Sequence, residues 1–492
     1  MRRNKFSLSN YKLLSCDLGE LVPCGLQEVL PGDTIQCSSS ALVRMSPLLA
    51  PVMHPLHVRI HHWYIPNRLI WEDWEDFITG GPDGLDASVY PTITFGSGVS
   101  TGDLADYLGV PITGGSIEVS ALPFRAYALV FNEWYRDQDL VTALTVSTAS
   151  GADSTTNTAL QQVAWERDYF TTARPWEQKG PAISLPLGTD APVTGIGNLN
   201  QTYGTVGANV YETDGTAQST YANSDVVGSD WYIEEDPNNS GYPNIRADLS
   251  NATAASVNDL REAFALQRYE EARARYGSRY TEYLRYLGVK SSDARLDRPE
   301  YWGGAKQTIQ FSEVLQTAEG TNPVGELRGH GIGAIRSSRY RRYVEEHGWM
   351  LSTISMRPKT IYVDGLQRHW NRRTKEDFHQ RELEHIGQQE LLNKEIRAAH
   401  ATPDGVFGYQ DRYDEYRHAW SSVGGEFRTS TLDFWHMARD FATDPALNAD
   451  FINCVPDPRI FAASTNDTVY AMVNHSIQAR RALSRTGHSF IY

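Results

Sequence analysis

The chain has 492 residues, of which 40% are hydrophobic and 21% are charged, so it can bury a large core. Its formal net charge of -15 excludes a protein that binds nucleic acid through bulk positive charge, although a local basic face remains possible. Because no apolar run reaches membrane-spanning length and the start lacks a signal-peptide core, we expect no membrane insertion and assembly in a cytoplasm.

The basic and aromatic composition favours a protein that makes extensive interfaces. Only eight of the 45 basic residues are lysine, and the chain carries 26 tyrosines and 12 tryptophans. Arginine, tyrosine and tryptophan are the side chains that interfaces enrich. A GC-rich genome would also raise arginine, so both explanations stay open. The four cysteines match no zinc or CxxC spacing and should be ordinary apolar residues.

Alternating segments punctuated by turns predict strands at both ends of the chain, with helices between them. The predicted strands are Thr34–Met45, His57–Tyr64, Thr308–Leu315, Trp349–Met356, Thr360–Val363, Arg459–Ala463 and Thr468–Val473. The predicted helices are Leu122–Leu140, Val257–Leu287 with a break at Gly277, Leu383–Ala399 and Leu432–Phe441. This order favours one β-sandwich with elaborated loops, although a multidomain α+β protein would show a similar pattern.

One segment differs from the rest in composition. Gly180–Ile245 contains eight acids and no lysine or arginine, and glycine, threonine, asparagine and serine fill most of it. Such a segment can bury little apolar surface, so we expect its middle to be exposed. It is either a flexible loop or a displayed recognition surface.

Four carboxylates lie beside tryptophans in the segment 71–77, WEDWEDF. They suggest the alternative function, a carbohydrate-active enzyme on a β-sandwich scaffold. A glycosidase needs two carboxyl groups across a cleft, usually from separate elements. Helical spacing instead places Trp71, Trp74 and Ile78 on one face and the acids on the other, which favours an amphipathic helix. We predict no catalytic residues.

The histidines near residue 60 could suggest a metal site. On a strand, His57, Arg59 and His61 share one face, where the arginine between the histidines would repel a cation. Asp236–Gly241 copies the first half of a calcium loop, but Ala247 stands where that loop needs a glutamate. We predict no metal and no cofactor, and a weak calcium site in the acidic segment remains open.

The clearest candidate chemistry is basic. The segment 336–342, RSSRYRR, interleaves arginine with tyrosine, as expected for contacts to the phosphates and bases of single-stranded DNA. A flexible basic arm at the N-terminus is a second candidate. Each cluster could instead pair with carboxylates of a neighbouring subunit. The candidate DNA contacts are Arg336, Arg339, Tyr340, Arg341, Arg342, Arg2, Arg3 and Lys5.

Three motifs stand in order near the N-terminus: LPGDT at Leu30–Thr34, HVRIHHWY at His57–Tyr64 and IPNRLIWEDWEDF at Ile65–Phe77. Together they resemble the start of the major capsid protein of gokushovirus-like microviruses. Later blocks are similar to the same family in the same order, including DYFTTARPWEQKGPAISLPLG within Arg167–Val193 and LDFWHMARDF at Leu432–Phe441. The resemblance covers most of the chain. In HVRIHHWY, histidine and arginine largely replace an aromatic run of the family.

The resemblance implies a mainly β fold with helical insertions, in which residues 1–492 form a single eight-stranded antiparallel jelly roll with long elaborated loops. It implies a structural protein of the virion, assembled in the bacterial host as a T=1 icosahedral shell around circular single-stranded DNA. The implied partners are further copies of the chain, the genome, an internal scaffolding protein, a DNA pilot protein, a small basic DNA-binding protein and a host cell-surface receptor.

The similarity breaks at about Thr194–Asn244. The resemblance implies that residues 195–244 form a variable surface insertion that projects at the threefold axes and serves host attachment. The candidate attachment residues are Tyr203, Tyr211, Tyr221, Trp231 and Tyr232.

Overall fold

The computed structural model describes residues 3–181, 183, 193–194, 210–211, 218–219, 246–247, 257–276, 279–289, 292–315, 325–463 and 465–485. The chain divides into two compact units. The first comprises Met1–Lys179 and Glu271–Tyr492, and the second comprises Gly180–Glu270.

The described residues are mainly β, with short helices between the strands. The strands are β1 (Asn4–Ser7), β2 (Asn10–Cys16), β3 (Val22–Val29), β4 (Thr34–Met45), β5 (Leu56–Pro66), β6 (Thr92–Phe95), β7 (Ile117–Ser120), β8 (Val193–Thr194), β9 (Val210–Tyr211), β10 (Gln218–Ser219), β11 (Arg246–Ala247), β12 (Glu300–Leu315), β13 (Leu327–Arg336), β14 (Tyr340–Tyr343), β15 (Gly348–Pro358), β16 (Gln388–Leu392), β17 (Val406–Asp411) and β18 (Val469–Arg481).

The helices lie in the segments that connect these strands. The α-helices are α1 (Trp74–Thr79), α2 (Leu104–Leu108), α3 (Leu122–Val130), α4 (Val257–Tyr276), α5 (Tyr280–Tyr286), α6 (Asn393–Ile396) and α7 (Ala449–Ile452). A π-helical turn, Phe131–Tyr135, continues α3. The 3-10 helices are Asn67–Leu69, Ala294–Leu296, Arg368–Asn371, Lys375–Asp377, Arg381–Leu383, Asp414–Tyr416, Gly425–Arg428, Asp433–Trp435 and Pro458–Ile460.

One curled antiparallel sheet organises the first unit. Its first half-sheet has the order β1/β2–β18–β4–β13, and its second half-sheet has the order β12–β5–β15–β3. The long strand β12 joins them, because Glu300–Ile309 pairs with β5 and Gln310–Leu315 pairs with β13. Counting β1 with β2 and β13 with β14 as interrupted strands gives eight strands in jelly-roll order. The predicted jelly roll is confirmed.

Both half-sheets bury apolar residues of their inner faces in shared hydrophobic clusters. Strand β18 alternates buried and exposed residues along its length, as a strand with one solvated face must. Its buried residues Val469, Ala471 and Val473 pack with Val58 and Ile354 from the opposite half-sheet. The curled sheet encloses this cluster and a second one, which contains Ile35, Tyr340 and Ile477.

Helical insertions cover the outer face of the second half-sheet only. Trp63 and Leu351 point outward from β5 and β15 and pack with Phe124 and Tyr127 of α3 and with Trp71 before α1. We call the part of the chain that forms this cover the insertion layer, residues 69–175. The outer face of the first half-sheet has no such cluster over it among the described residues.

Five of the predicted strands are confirmed. Thr34–Met45 matches β4 at both ends, three others lie within β5, β12 and β15, and Thr468–Val473 begins one residue before β18. The break predicted in Val257–Leu287 is also confirmed, since α4 ends at Tyr276 and α5 begins at Tyr280.

Five element predictions are wrong in part or whole. Thr360–Val363 forms isolated bridges at Tyr362 instead of a strand. Arg459–Ala463 begins in a 3-10 helix that Asp457 caps by accepting a hydrogen bond from the Arg459 amide. Leu432–Phe441 holds only the 3-10 helix Asp433–Trp435.

Leu383–Ala399 is a strand followed by one helical turn, because pairing of β16 with β17 overrides helical propensity. Leu122–Leu140 is helical only as far as Tyr135.

Among its described residues, the second unit has two short strand pairs, β8 with β11 and β9 with β10, and the first part of α4. Arg246 lies opposite Thr194 in the β8–β11 pair, so the backbone at the two boundaries of residues 195–244 is paired. That these residues form a variable surface insertion stays a prediction.

Candidate functional site: the open face of the barrel

The outer face of the first half-sheet carries exposed side chains from all of its strands. We call it the open face. The outward residues that form the candidate site come from β1, β2, β4, β14 and β18, and the register determines which of them are neighbours, since paired residues point to the same side of a sheet. They are Lys5, Ser7, Tyr11, Leu13, Thr34, Gln36, Leu42, Arg44, Arg341, Tyr343, Tyr470, Met472, Gln478 and Arg480.

Basic residues from both ends and the middle of the chain meet at one end of the open face. Lys5 of β1 lies directly opposite Arg480 of β18, which in turn lies opposite Thr34 of β4. Tyr343 of β14 completes this row on the other side of Thr34. The Arg3 guanidinium lies 5.6 Å from the centre of the Tyr343 ring and donates a hydrogen bond of 2.8 Å to the Gly32 carbonyl.

The next row, two residues along each strand, has Arg341 paired with Gln36 and Gln36 paired with Gln478. We call Arg3, Lys5, Arg341, Tyr343 and Arg480 the basic end of the open face. Within the part of the chain that the structure describes, no carboxylate forms an ion pair with any of its four cations. These charges are therefore available to an external anion.

The neighbouring arginine shows the contrast. Arg481 points to the other side of β18, where its Nε lies 2.9 Å from a carboxylate oxygen of the buried Asp33. It also donates a hydrogen bond of 2.8 Å to the Glu28 carbonyl. Arg481 therefore connects β18 to Glu28 of β3 and to Asp33 before β4.

The candidate DNA contacts from segment 336–342 divide into two groups. The arginines Arg336, Arg339, Arg341 and Arg342 are exposed. Tyr340 is 8% exposed, and its hydroxyl donates to the Met350 sulfur at 3.3 Å, so its ring belongs to the barrel interior. The prediction that Tyr340 stacks on DNA bases is wrong for this conformation, because β14 turns it inward.

The N-terminal candidates also differ from the expected flexible arm. Lys5 is part of β1, which pairs with β18 along its whole length, and Arg3 is hydrogen-bonded beside it. The predicted flexibility is therefore wrong from Arg3 onward. Arg2 lies outside the described residues.

The other end of the open face is apolar. Leu13 is 79% exposed, and Tyr470 and Met472 beside it are each more than two-fifths exposed. Met472 lies opposite both Leu13 and Leu42, and Tyr470 lies opposite Arg44. Contiguous exposed apolar groups are typical of interaction surfaces.

Sequence reasoning missed this apolar end, and it did not place Arg480 beside Lys5. The signal was present, because the alternation of the last strand continues past Val473 as far as Arg481. The predicted strand stopped at Val473, so the exposed residues on the rest of β18 had no assigned position.

The histidines near residue 60 make internal hydrogen bonds. The ring of His61 lies on the outer side of β5 with its Nδ1 2.7 Å from the Tyr135 hydroxyl. His62 points into the barrel with its Nδ1 2.8 Å from the Ser352 hydroxyl. Among the residues that the structure describes, no three potential metal ligands converge.

The acidic tryptophan segment is packed as an amphipathic turn. Trp71 is buried, and its ring contacts the Phe77 ring at a tilt of 47° with centres 4.7 Å apart, while Glu75 and Asp76 are exposed. This agrees with the amphipathic-helix interpretation of WEDWEDF and leaves the tryptophan without an open sugar-binding face.

Many arginines pair within the subunit. Arg368 lies 3.1 Å from the buried Glu395, and Arg372 lies 3.2 Å from Glu415. Arg372 also lies over the Tyr416 ring at 4.5 Å. Part of the arginine excess is thus used to hold loops together inside one copy of the chain.

The candidate attachment residues cannot be placed. Tyr203, Tyr221, Trp231 and Tyr232 lie outside the described residues, as does Asp236–Gly241, and of Tyr211 only the strand β9 is described.

The architecture narrows the class of protein. Antiparallel jelly rolls with eight strands are typical of viral coat subunits, lectins and cupins. A barrel that extends its loops into a thick insertion layer and leaves one basic and apolar sheet face open fits a coat subunit, whose surfaces are completed by other copies.

Comparison with known proteins gives the family. Residues 1–490 match the family described as Capsid protein (F protein). Capsid protein VP1 of Bdellovibrio phage phiMH2K is 36% identical over 92% of this chain and 87% of its own length. Capsid protein VP1 of Chlamydia phage 1 is 32% identical over 92% of this chain and 89% of its own length.

The chain belongs to this capsid protein family, and the predicted relationship to gokushovirus-like microviruses is confirmed. It is a structural protein of the virion that assembles with copies of itself, and it is not an enzyme. No helix among the described residues is both long and apolar enough to cross a membrane.

Proposed function

We propose that this protein is the major subunit of a T=1 icosahedral shell that encloses circular single-stranded DNA, and that the basic end of the open face contacts the genome. The observation that carries the DNA contact is the convergence of Arg3, Lys5, Arg341 and Arg480 beside an exposed tyrosine. Three distant parts of the chain contribute to it.

The energetics of the sheet support an anionic partner. Lys5 and Arg480 are directly opposite each other, and like charges in that position destabilise a sheet. Phosphate groups placed over the pair would relieve this repulsion. Tyr343, which is 58% exposed, offers a ring on which a base can stack.

The proposed contact is local. A subunit of net charge -15 repels DNA over most of its surface, so four free cations at one place cannot neutralise a genome. This supports the small basic DNA-binding protein as a packaging partner. The internal scaffolding protein, the DNA pilot protein and assembly in the bacterial cytoplasm complete the proposal.

The DNA contact is tested by replacing Lys5, Arg341 and Arg480 with serine together. All three side chains are exposed, so we expect shells to form but to hold severalfold less DNA, with packaging more sensitive to salt. The measurement is the ratio of absorbance at 260 and 280 nm together with the buoyant density of purified particles.

The matched control replaces Lys375, Arg381 and Arg428 with serine, which removes the same charge from exposed positions away from the open face. Particles of the first variant with normal DNA content would contradict the DNA contact. Such a result would not contradict the proposal that the protein forms the shell.

We also propose that residues 195–244 carry host attachment, through contact of their tyrosines and tryptophan with a host cell-surface receptor. The support is compositional: the segment has no basic residue, is rich in small polar residues and still carries Tyr203, Tyr211, Tyr221, Trp231 and Tyr232. Exposed aromatic residues are frequent binding hot spots.

A further inference from the structure

The apolar end of the open face forms a groove of about 460 Å³ that is not filled by its own chain. Strands β2, β4 and β18 supply its walls. The lining residues are Leu13, Leu14, Ser15, Leu42, Arg44, Tyr470, Ala471 and Met472.

The groove is apolar with one charge at its margin. Leu13 is 79% and Met472 41% exposed, although aliphatic side chains of this size usually pack. Arg44 is exposed and forms no ion pair within the described part of the chain. A partner that fits must therefore bring an apolar side chain together with a carboxylate.

The chain itself carries such a segment. Residues 69–124 contain nine acids and no lysine or arginine, between Arg68 and Arg125. Within it, Leu85 is 78% exposed and lies between Asp83 and Asp86.

Internal hydrogen bonds keep this loop ordered. Asp83 accepts one of 3.0 Å from the Leu85 amide, and Asp86 accepts one of 3.2 Å from the Ser88 amide. The loop therefore presents Leu85 to solvent at little further cost in conformational entropy.

We propose that the Leu85 loop of a second copy of this chain docks into the groove, with Leu85 against Leu13 and Met472 and with Asp83 or Asp86 beside Arg44. This proposal rests on the shell-forming function. It adds to that function by identifying the two surfaces that meet in one contact between subunits. Both leucines are almost fully exposed in the single subunit, so neither covers the other within one copy.

The contact joins two different surfaces. The groove lies on the outer face of the first half-sheet, and the Leu85 loop follows α1, which packs into the insertion layer over the second half-sheet. A contact between unlike surfaces is heterologous, and such contacts form rings around a symmetry axis when the rotation between successive copies closes. An icosahedral shell requires contacts of this kind.

The first test is a charge exchange made in the capsid gene of an otherwise complete phage, so that every assembly partner is present. Arg44→Glu should lower the yield of shells at least tenfold, and so should Asp83→Lys with Asp86→Lys. Combining the three substitutions should restore most of the yield, because the pair is re-formed with opposite signs. Undiminished yield in Arg44→Glu, or failure of the combination to restore it, overturns the docking.

The second test is direct. All four native cysteines are buried, so Leu13→Cys with Leu85→Cys places the only exposed thiols among the described residues. A short bis-maleimide added to particles should join subunits into a ladder of covalent oligomers, and either single variant should give at most traces.

Leu13→Cys with Met53→Cys is the matched control, since Met53 is 71% exposed outside the acidic segment. If intact particles of the Leu13–Leu85 cysteine variant yield only monomer, the proposal is overturned. That result would mean that a different component occupies the groove. It would not affect the shell function, because the particles themselves would have formed.

Discussion

Individual buried polar residues in the barrel reveal how the interior responds to pH. His62 has no exposed surface, and its ring lies 5.2 Å from the Tyr340 ring and 6.5 Å from the His475 ring. Burial, together with the nearby His475 and His61, lowers the pKa of His62 from 6.5 to about 3. Burial likewise lowers the pKa of His54 and of His61, each to about 4.

These shifts predict an acid-sensitive subunit. In the unfolded chain the same histidines bind a proton near pH 6.5, so below that pH the unfolded state holds more protons and the free energy of unfolding falls. Each of the three contributes a loss of about 1 kcal/mol between pH 6 and pH 5. His62→Gln should reduce the loss of stability between pH 6 and pH 5 by about 1 kcal/mol, even if it lowers stability overall.

The measurement is urea unfolding of the isolated subunit at pH 7, 6 and 5. The control is His330→Gln, which removes an exposed histidine from β13. An unchanged slope in the His62 variant would show that the barrel opens to water before His62 is protonated.

At the scale of elements, one arginine holds the insertion layer together. Arg125 of α3 is fully buried, and its Nε donates to the buried Asp153 at 2.8 Å. Its other nitrogens donate to the carbonyls of Ile70 at 3.0 Å and Ala149 at 2.9 Å. Three segments that are distant in sequence are thus tied to one guanidinium.

Arg125→Met should lower the free energy of unfolding by about 3–5 kcal/mol, because it leaves the Asp153 carboxylate buried without its charge partner. Arg68→Met, which breaks half-exposed pairs with Asp297 and Glu346, should cost no more than about 1 kcal/mol. Thermal unfolding of both variants makes the comparison. Equal effects would mean that hydrogen bonds from Thr155 and Thr156 suffice to hold Asp153.

Strands of the barrel could be predicted from sequence because their pattern is local. In β4, every second residue from Ile35 to Met45 is buried, and on the other face only Ser38 is buried as well, so the local pattern indicates a strand. The helix predicted at Leu383–Ala399 fails because strand pairing with Val406–Asp411 cannot be seen from its own periodicity.

The candidate site shows the same limit. The arginine-rich segment 336–342 is visible in the sequence, but its neighbours Lys5 and Arg480 are separated by almost the whole chain and meet only through sheet register. The inward turn of Tyr340 likewise depends on pairing with Cys37.

At the scale of the molecule, assembly has to overcome charge. Copies of net charge -15 repel each other, and salt screens that repulsion together with any exposed ion pairs. Contacts that combine apolar burial with one close ion pair, as in the proposed groove, depend less on salt than contacts made of ion pairs alone.

The division of the chain into two units assigns residues 195–244 entirely to the second unit, whereas the barrel strands belong to the first.

That separation gives a test of host attachment. Replacing residues 195–244 by a short glycine–serine linker between the paired strands β8 and β11 removes the proposed receptor contact and leaves all barrel strands in the chain. We expect particles of normal size and DNA content that no longer adsorb to host cells, measured as the loss of free particles from a cell suspension. A milder variant changes only Tyr203, Tyr211, Tyr221, Trp231 and Tyr232 to serine and should reduce adsorption for the same reason. Because both variants are scored on intact particles, normal adsorption by the shortened one would place the receptor contact elsewhere on the shell.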